Sequence, residues 1–309
     1  MDFDFTEEQK IFREAIRNFG QKEMAPLVDE AEKTERYPVQ LFPKAGELGY
    51  LCITYPPEYG GAGMGMVEEC LEWEELNYIS LALAGALMVQ SGLCTAAIRD
   101  YGSEAMKQNY LVPAIKGKKI AAFGLTEPNA GSDVASIETT AKKDGSNYII
   151  NGSKIYTSNG TFCDFFTLAA YTDKSKGARG GISLFLVGKD MPGLSRTKMR
   201  KFCLRGSETA ELAFDNCAVS ENSLIGEEGK GFQYLMDSLN EGRIIHSSAR
   251  LGDSLAAYEA TLNYAKQRVQ FGRPIATFQA NAFKLAELAL TVEAMRLMTY
   301  YAAWLFDQG

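Results

Sequence analysis

Several features that mark common protein classes are scarce in this sequence of 309 residues. It contains one histidine, His246, and its six cysteines form no Cys-x-x-Cys pair, which leaves little for a zinc site, and we expect no metal. Scattered cysteines in a chain of this length indicate a reducing compartment. The net charge of −7 argues against a nucleic-acid or anionic-membrane partner attracted by bulk charge.

A targeting signal and a long apolar run are also missing from the sequence. The N-terminus, Met1–Glu8, is acidic and has no signal-peptide pattern. The longest mostly apolar run, Leu81–Val89, is far shorter than the roughly 20 residues that a membrane helix needs. These absences predict a soluble protein of cytoplasmic, bacterial type without a membrane span.

The residues that are present fall into three regions. Residues 1–118 carry apolar side chains at helical spacing, whereas residues 119–230 are rich in Thr, Ile, Tyr, Phe and Gly and contain short strand-like runs. Residues 231–309 predict two long helices, at about 232–269 and 278–307. We therefore expect an α+β protein with an N-terminal all-α domain, a small antiparallel β domain and a C-terminal helical bundle that is incomplete here.

Three local predictions refine this outline. The dipeptide Asn151-Gly152 lies between two strand-like segments and predicts a hairpin turn, and helical patterning from Val67 to Val89 predicts one helix. The two long C-terminal helices cannot easily bury their apolar faces as an isolated hairpin, because a bundle usually needs about four helices. We expect the missing helices to come from another copy, another chain or sequence that is absent here.

Two loops of the middle region carry groups suited to a flat cofactor. Leu125–Asp133 contains Pro128-Asn129 and Gly131, which predict a tight turn, and two hydroxyl side chains lie on either side of it. Backbone N–H groups in such a turn bind phosphate or the polar edge of a cofactor, although an ordinary surface loop is the commoner outcome. Tyr156–Gly160 adds an aromatic ring and two hydroxyls; its alternative is a packed tyrosine at a hairpin end.

A third motif, Arg268–Ile275, is followed by Phe278-Gln279. A guanidinium fork matches two phosphate oxygens, so Arg268 and Arg273 are candidate phosphate ligands. The alternative is a helix C-terminus with favourable positive charge.

Together, in this order on an α–β–α chain, the three motifs resemble the acyl-CoA dehydrogenase family, as do Tyr55–Gly63 and Glu227–Phe232. The resemblance covers essentially the whole chain and implies an FAD enzyme, usually a homotetramer, that passes electrons to an electron-transferring flavoprotein. The FAD contacts it implies are Phe123, Leu125, Thr126, Gly131, Ser132, Tyr156 and Ser158, and it implies that Arg268, Phe271 and Gln279 meet the FAD of a neighbouring subunit. The acyl-CoA contacts it implies are Ser132, Asn240 and Arg243. Two departures keep the chemistry: Tyr156 replaces a frequent Trp, and Ser158 replaces a frequent Thr.

The reaction implied by the resemblance is α,β-dehydrogenation of an acyl-CoA thioester. A carboxylate removes the α proton, and a hydride passes from the β carbon to the flavin. The family's usual catalytic glutamate follows the second long helix beside a Gly-rich FAD-binding run, and this sequence contains neither, so we expect the base to be absent from it. On the long helix Glu241 is the nearest candidate, but the position that matches an alternative family base is Gly242, and one residue turns a helical side chain by about 100°.

Two other functions stay open at this point. A family member that lacks the base would bind acyl-CoA or a partner chain without catalysis, and an oxidase would keep the flavin but use oxygen. The substrate is predicted only in outline: because no arginine lies between Ile79 and Ile98, a second substrate carboxylate has no obvious partner there, which favours an uncharged acyl group.

Overall fold

The computed structural model describes residues 4–309, so Met1–Phe3 of the acidic N-terminus lie outside the described residues. The chain divides into two compact units. The first, called the helical unit here, combines the chain up to Leu27 with Met64–Ala84 and Arg243–Gly309. The second, called the sheet unit, combines Val28–Gly63 with Gly85–Gly242. The predicted domain boundaries at residues 118 and 230 stay predictions.

Helices dominate both ends of the chain. The α helices are α1 (Glu7–Phe19), α2 (Val28–Thr34), α3 (Leu41–Glu47), α4 (Met66–Ile79), α5 (Leu81–Val89), α6 (Ala96–Tyr101), α7 (Glu104–Met106), α8 (Val112–Ile115), α9 (Gly177–Gly181), α10 (Gly231–Gln267) and α11 (Gln279–Gln308). Three π-helical segments extend or join them, at Gly20–Met24, Gln90–Cys94 and Lys107–Leu111. The two predicted long helices are thereby confirmed as α10 and α11, with boundaries within two residues of those expected.

Strands fill the middle of the chain. They are β1 (Ala121–Gly124), β2 (Thr140–Asp144), β3 (Asn147–Ser158), β4 (Phe165–Tyr171), β5 (Ile182–Gly188), β6 (Leu194–Lys198), β7 (Thr209–Ser220), β8 (Leu224–Ile225), β9 (Val269–Gln270) and β10 (Arg273–Pro274). The main sheet has the order β6-β7-β3-β2-β4-β5-β8, and β1 pairs with β4 in parallel. Most other pairs are antiparallel, so the predicted α+β class, with a β region between helical regions, is confirmed.

The sheet unit has its apolar core around β4, in which every residue is buried. A continuous apolar run is what a strand covered on both faces requires. Two hydroxyls lie in this run, and both are paired: Thr167 donates a 2.6 Å hydrogen bond to the carbonyl oxygen of Cys94, and Tyr171 donates one of 2.7 Å to that of Ala135. The same core includes Phe166 and Phe185, packed with Ile150 and Leu212.

The hairpin turn predicted at Asn151-Gly152 was wrong. Strand β3 runs straight through these residues, and the turn lies six residues earlier, where Asp144 pairs with Asn147 around Gly145 at a φ of 59°. Gly152 instead adopts a φ of 144° at a shift in the β3–β7 register. A Cβ atom there would lie 2.7 Å from the Cα of Thr139, so close backbone approach, and not turn formation, is why glycine fits.

One helix predicted across Val67–Val89 is two helices in the structure, α4 and α5. Ser80 separates them with extended backbone angles of −162° and 111°. Its hydroxyl accepts a hydrogen bond from the N–H of Leu83 at 3.3 Å, which is how a serine caps the start of a helix. Apolar periodicity continued past this capping residue, so the pattern did not show the break.

Within the helical unit, carboxylates of α4 are buried and paired with side chains of α1 and α11. Glu75 accepts hydrogen bonds from Arg17 at 2.8 and 2.9 Å, and Glu74 accepts one from the hydroxyl of Tyr300 at 2.6 Å. Arg296 adds a contact to Glu74 at 3.3 Å. We call this group, with Arg13, the arginine cluster.

One helical run, Leu81–Tyr101, is long and apolar enough by length and composition to cross a membrane, and it exceeds the Leu81–Val89 run seen in the sequence. Because 78% of its apolar window is buried inside the protein, it has the character of a core helix. Large apolar side chains of α11 are exposed, among them Phe283, Leu290, Leu297, Met298 and Trp304.

Candidate functional site

The loop Leu125–Asp133 follows β1 and forms a tight turn closed by its own backbone. The N–H of Glu127 donates to the carbonyl of Ala130 at 2.9 Å, and the reverse bond is 3.2 Å long. Leu125 is buried and Thr126 half-buried, whereas Ser132 is exposed. Buried residues therefore anchor the start of the loop, and its exposed tip presents the hydroxyl and Gly131.

The end of β3 lies directly beside this loop. The N–H of Ile155 donates to the carbonyl of Thr126 at 2.8 Å, which joins the loop and the strand backbone to backbone. The next residue, Tyr156, has a φ of 58° at a second shift in the β3–β7 register. This irregularity leaves its side chain 65% exposed, while Ser158 is half-buried at the end of the strand. The structure thus places an exposed aromatic ring beside a turn with two hydroxyls.

A buried ion pair underlies the loop. The ammonium of Lys154 lies 2.7 Å from a carboxylate oxygen of Glu127, and the two side chains are 0% and 4% exposed. Burial lowers the pKa of Lys154 to about 8, although Glu127 opposes this. Burial alone would raise the pKa of Glu127, but the charge and hydrogen bond of Lys154 outweigh it and hold that pKa below its ordinary value.

Glu241, the candidate base, is held by an arginine. Its two carboxylate oxygens accept hydrogen bonds from Arg99 at 2.9 and 3.1 Å, and Arg99 also donates to Asp100 at 2.6 Å. The Arg99 guanidinium lies 4.7 Å from the centre of the Tyr55 ring. Because the Arg99 guanidinium engages both oxygens, the carboxylate is held by this contact and not free to approach a substrate, so the geometry argues against Glu241 as the base.

Gly242, the next residue, faces the π-helical segment Gln90–Cys94. A Cβ atom at this position would lie 3.2 Å from a methyl group of Leu93, so glycine permits a close approach. The preceding residue, Asn240, is exposed, and so is Arg243 in the helical unit. The three predicted acyl-CoA contacts are therefore all exposed, since Ser132 is as well.

The motif Arg268–Ile275 belongs to the helical unit and forms the short hairpin β9–β10. Phe271 is 94% exposed at its tip, with a φ of 51°, and Arg268 and Gln279 are also exposed. Arg273 lies 4.2 Å from the centre of the Phe278 ring. Because the Arg273 guanidinium is engaged in this cation–π contact, Arg268 is the better candidate for binding a phosphate.

Sequence reasoning missed Lys154 and Arg99. A lysine between Ser153 and Ile155 in an alternating strand was a visible signal, because Ile150 and Lys154 fall on the same face at even spacing. Arg99 directly follows Ile98, the end of the stretch that contains no arginine.

The exposed and half-buried residues of the loop and strand fit a flat, polar-edged cofactor. Tyr156 provides a ring for stacking, Thr126, Ser132 and Ser158 provide hydroxyls, and a Cβ atom added at Gly131 would meet no atom within 4 Å. This donor set suits the isoalloxazine ring of a flavin. In residues 4–309, no group of three or more His, Cys, Asp or Glu side chains is placed to hold a metal ion.

Comparisons with known proteins identify the family of the chain. Residues 6–118, 122–217 and 229–309 match the N-terminal, middle and C-terminal domain models of acyl-CoA dehydrogenases. An acyl-CoA dehydrogenase of Bacillus subtilis is 44% identical over 305 residues, which cover 98% of this chain and 80% of the relative. The structure of butyryl-CoA dehydrogenase from Megasphaera elsdenii superposes with a TM-score of 0.93 at 38% identity, covering 100% of this chain and 82% of that one.

The structure of a glutaryl-CoA dehydrogenase of Mycobacterium smegmatis in complex with FADH2 superposes with a TM-score of 0.92 at 30% identity. The superposition covers 98% of this chain and 77% of the dehydrogenase chain. A reduced form of the expected cofactor therefore binds a protein of this fold. The chain matches all three domain models, and it is 44% identical to a relative of which it covers 80%. It therefore belongs to the acyl-CoA dehydrogenase family.

Proposed function

We propose that the protein catalyses the FAD-dependent α,β-dehydrogenation of an acyl-CoA thioester. The observation that carries the proposal is the backbone bond between Thr126 and Ile155, because it brings the turn Leu125–Asp133 next to the exposed ring of Tyr156. Family membership adds the reaction class. Cytoplasmic location, a homotetrameric assembly and an electron-transferring flavoprotein as acceptor belong to the same proposal.

In this proposal the chain's own residues bind and orient the reactants. Thr126, Ser132 and Ser158 donate hydrogen bonds to FAD, with Phe123, Leu125 and Gly131 beside it, and Tyr156 covers its ring. Arg268 and Phe271 of the exposed hairpin, with Gln279 at the start of α11, contact the FAD of a neighbouring subunit in the homotetramer. FAD, when bound, supplies the hydride acceptor. Ser132, Asn240 and Arg243 hold the acyl-CoA.

The proposal assigns the removal of the α proton to no residue between 4 and 309. Glu241 is the candidate base that the sequence offers on α10, and Arg99 holds both of its carboxylate oxygens. Helix α5 buries small or apolar side chains, namely Ala82, Ala84, Ala86 and Leu87. The nearest arginine along the chain after the π-helical segment Gln90–Cys94 is Arg99, which is engaged by Asp100 and Glu241. These contacts favour an uncharged acyl group over a dicarboxylic one.

The test begins with the visible spectrum of the native protein, which we expect to show bound oxidised flavin. A panel of acyl-CoA thioesters is then assayed with an artificial electron acceptor, and an uncharged thioester is expected to turn over faster than glutaryl-CoA. Bound flavin without turnover of any thioester would favour the non-catalytic alternative. Turnover with oxygen alone would favour an oxidase, and a colourless protein that binds no FAD would refute the proposal.

A further inference from the structure

Beneath the residues assigned to FAD, the sheet unit buries one ion pair that none of those assignments uses. Lys154 lies in the interior of β3 with no exposed side-chain surface, and Glu127 is 4% exposed. Burying two charges carries a large desolvation cost, which a single contact between them does not always offset. Their remaining hydrogen bonds therefore show what the pair holds in place.

Lys154 fixes the start of the loop. Its ammonium donates to the carbonyl oxygen of Leu125 at 3.1 Å, while the N–H of the next strand residue, Ile155, donates to the carbonyl of Thr126 at 2.8 Å. Two consecutive loop carbonyls are thus held by two consecutive residues of β3. In a planar trans peptide the C=O and N–H point in opposite directions, so the N–H of Thr126 points away from the buried lysine.

Glu127 fixes the end of the same segment. Besides Lys154, its carboxylate accepts hydrogen bonds from the backbone N–H groups of Thr139, at 3.1 Å, and of Glu138. The pair therefore connects residue 125, where the segment leaves β1, with residues 138 and 139, where it enters β2. Between these two points lie the tight turn, Gly131 and the exposed hydroxyl of Ser132.

The same lysine also lies at the irregularity that exposes Tyr156. Pairing of β3 with β7 is regular from Gly152 to Lys154 and shifts again before Thr157. Lys154 is therefore the last regularly paired residue before this shift, and its side chain is fixed there by two hydrogen bonds. Both walls of the candidate flavin site, the turn and the aromatic ring, are consequently attached to one buried side chain.

We propose that Lys154 and Glu127 are positioning residues of the flavin site, which clamp the segment 125–139 so that the Thr126 N–H and the Tyr156 ring face the cofactor. This inference rests on the proposed function, because it requires that FAD bind at this loop. It gives the pair a role in cofactor affinity that is separable from its role in folding. Replacing a buried ion pair by neutral side chains of similar size is often neutral for stability, so the two roles can be measured independently.

The experiment compares Lys154→Met, Glu127→Gln and the double variant K154M/E127Q with wild type. The control is Lys189→Met, which removes a more exposed ion pair with Asp164, at 42% and 30% exposure, next to β4 and β5 and outside the loop. For each apoprotein the dissociation constant for FAD is measured by flavin fluorescence, the melting temperature by circular dichroism, and the flavin absorption maxima and reduction potential after reconstitution.

We expect the double variant to melt close to wild type yet bind FAD about 10- to 100-fold more weakly with shifted absorption maxima, since small misplacements of binding groups have effects of this size. Lys189→Met should match wild type in both. If the folded double variant bound FAD within twofold of wild type with unchanged spectrum, the inference would be wrong and the proposed function unaffected. Should it not fold, Glu127→Gln alone decides by the same criterion. A wild-type protein that binds no FAD would overturn both proposals.

Discussion

The two units of the chain both bury charged side chains, but they surround them differently. In the sheet unit Lys154 and Glu127 are enclosed as a single pair, with 0% and 4% of their side chains exposed. In the helical unit the carboxylates of Glu74 and Glu75 are 1% and 4% exposed, whereas Arg17 keeps 56% of its side chain in solvent. The lysine also bonds to loop backbone, while the arginines bond to carboxylates on another helix.

This difference separates two uses of buried charge. A fully enclosed pair that bonds to peptide groups fixes the direction of a loop, which matters for binding. Carboxylates that meet partly solvated arginines join α1 and α11 to α4, which matters for holding helices together. We therefore expect changes in the arginine cluster to affect stability first, and changes in the Lys154 pair to affect the loop first.

The largest expected effect is in the helical unit. Glu74→Gln removes the carboxylate that accepts from Tyr300 and contacts Arg13 and Arg296, and should lower the free energy of unfolding by about 3 kcal/mol. Urea denaturation measures this loss. The control is Glu293→Gln, whose side chain is 62% exposed at 3.8 Å from Arg296 and which should change stability by less than about 0.5 kcal/mol. Equal effects of the two substitutions would show that burial does not strengthen the cluster.

The next prediction concerns pH and tests the enclosed pair. Lys154 has a folded pKa of about 8 against an ordinary value of 10.5, so between these values the unfolded chain binds more protons than the folded one. This group therefore adds stability as pH rises from 8 to 10.5, by at most about 3 kcal/mol, and that contribution is lost as pH falls through 8. Arginines keep their protons throughout this range.

The measurement is the pH dependence of urea unfolding for wild type relative to the K154M/E127Q variant, which has no titrating group at this site. Wild type should gain stability relative to the variant between pH 8 and 10.5. A parallel pair of curves would mean that Lys154 titrates normally despite its burial. An NMR titration of the lysine side-chain carbon next to the ammonium provides an independent midpoint, expected near pH 8.

The next prediction concerns two glycines in the backbone of the sheet unit. Gly152→Ala puts a Cβ atom 2.7 Å from the Cα of Thr139 and should cost about 2–3 kcal/mol, because both the contact and the φ of 144° are unfavourable. Gly145→Ala occupies the real turn, at a φ of 59° with no atom within 4 Å, and should cost about 1 kcal/mol. Thermal unfolding of both variants ranks them, and the reverse order would contradict the assignment of the turn.

The smallest expected effect is a helix cap made by a distant residue. Asp307, in the last turn of α11, accepts hydrogen bonds from the N–H groups of Met66 at 2.7 Å and Val67 at 3.1 Å, at the start of α4. Asp307→Ala should therefore lower the free energy of unfolding by about 1 kcal/mol. Asp253→Ala, which removes an exposed contact with Arg250, is the matched control with an effect below about 0.5 kcal/mol. Chemical denaturation resolves the difference, and an equal loss would exclude capping by Asp307.

Local features were predictable where one short segment contains all the information. Helices α10 and α11 begin and end close to the expected residues. The turn in Leu125–Asp133 also forms where its Pro-Asn dipeptide places it. In each case hydrogen bonds between near neighbours decide the structure.

Predictions were wrong where residues distant in sequence compete with a local preference. Asn151-Gly152 is a strong turn signal, but β3 pairs with β7 both before it, at Ile150, and after it, at Ser153, which holds the segment extended. Ser80 ended a helix that apolar periodicity would have continued. The fate of Glu241 depended on Arg99, which lies 142 positions away.

The sequence by itself determined the helix–strand–helix order, the loops that carry the hydroxyls and rings, and family membership through their combined motifs. Only the tertiary structure decided that Lys154 lies beneath Leu125, that Glu127 joins both ends of its segment, and that Arg99 holds Glu241. The reason is physical: helix caps and turns are stabilised by contacts within a few residues, whereas the partner of a buried charge is chosen by burial and proximity after the chain has folded.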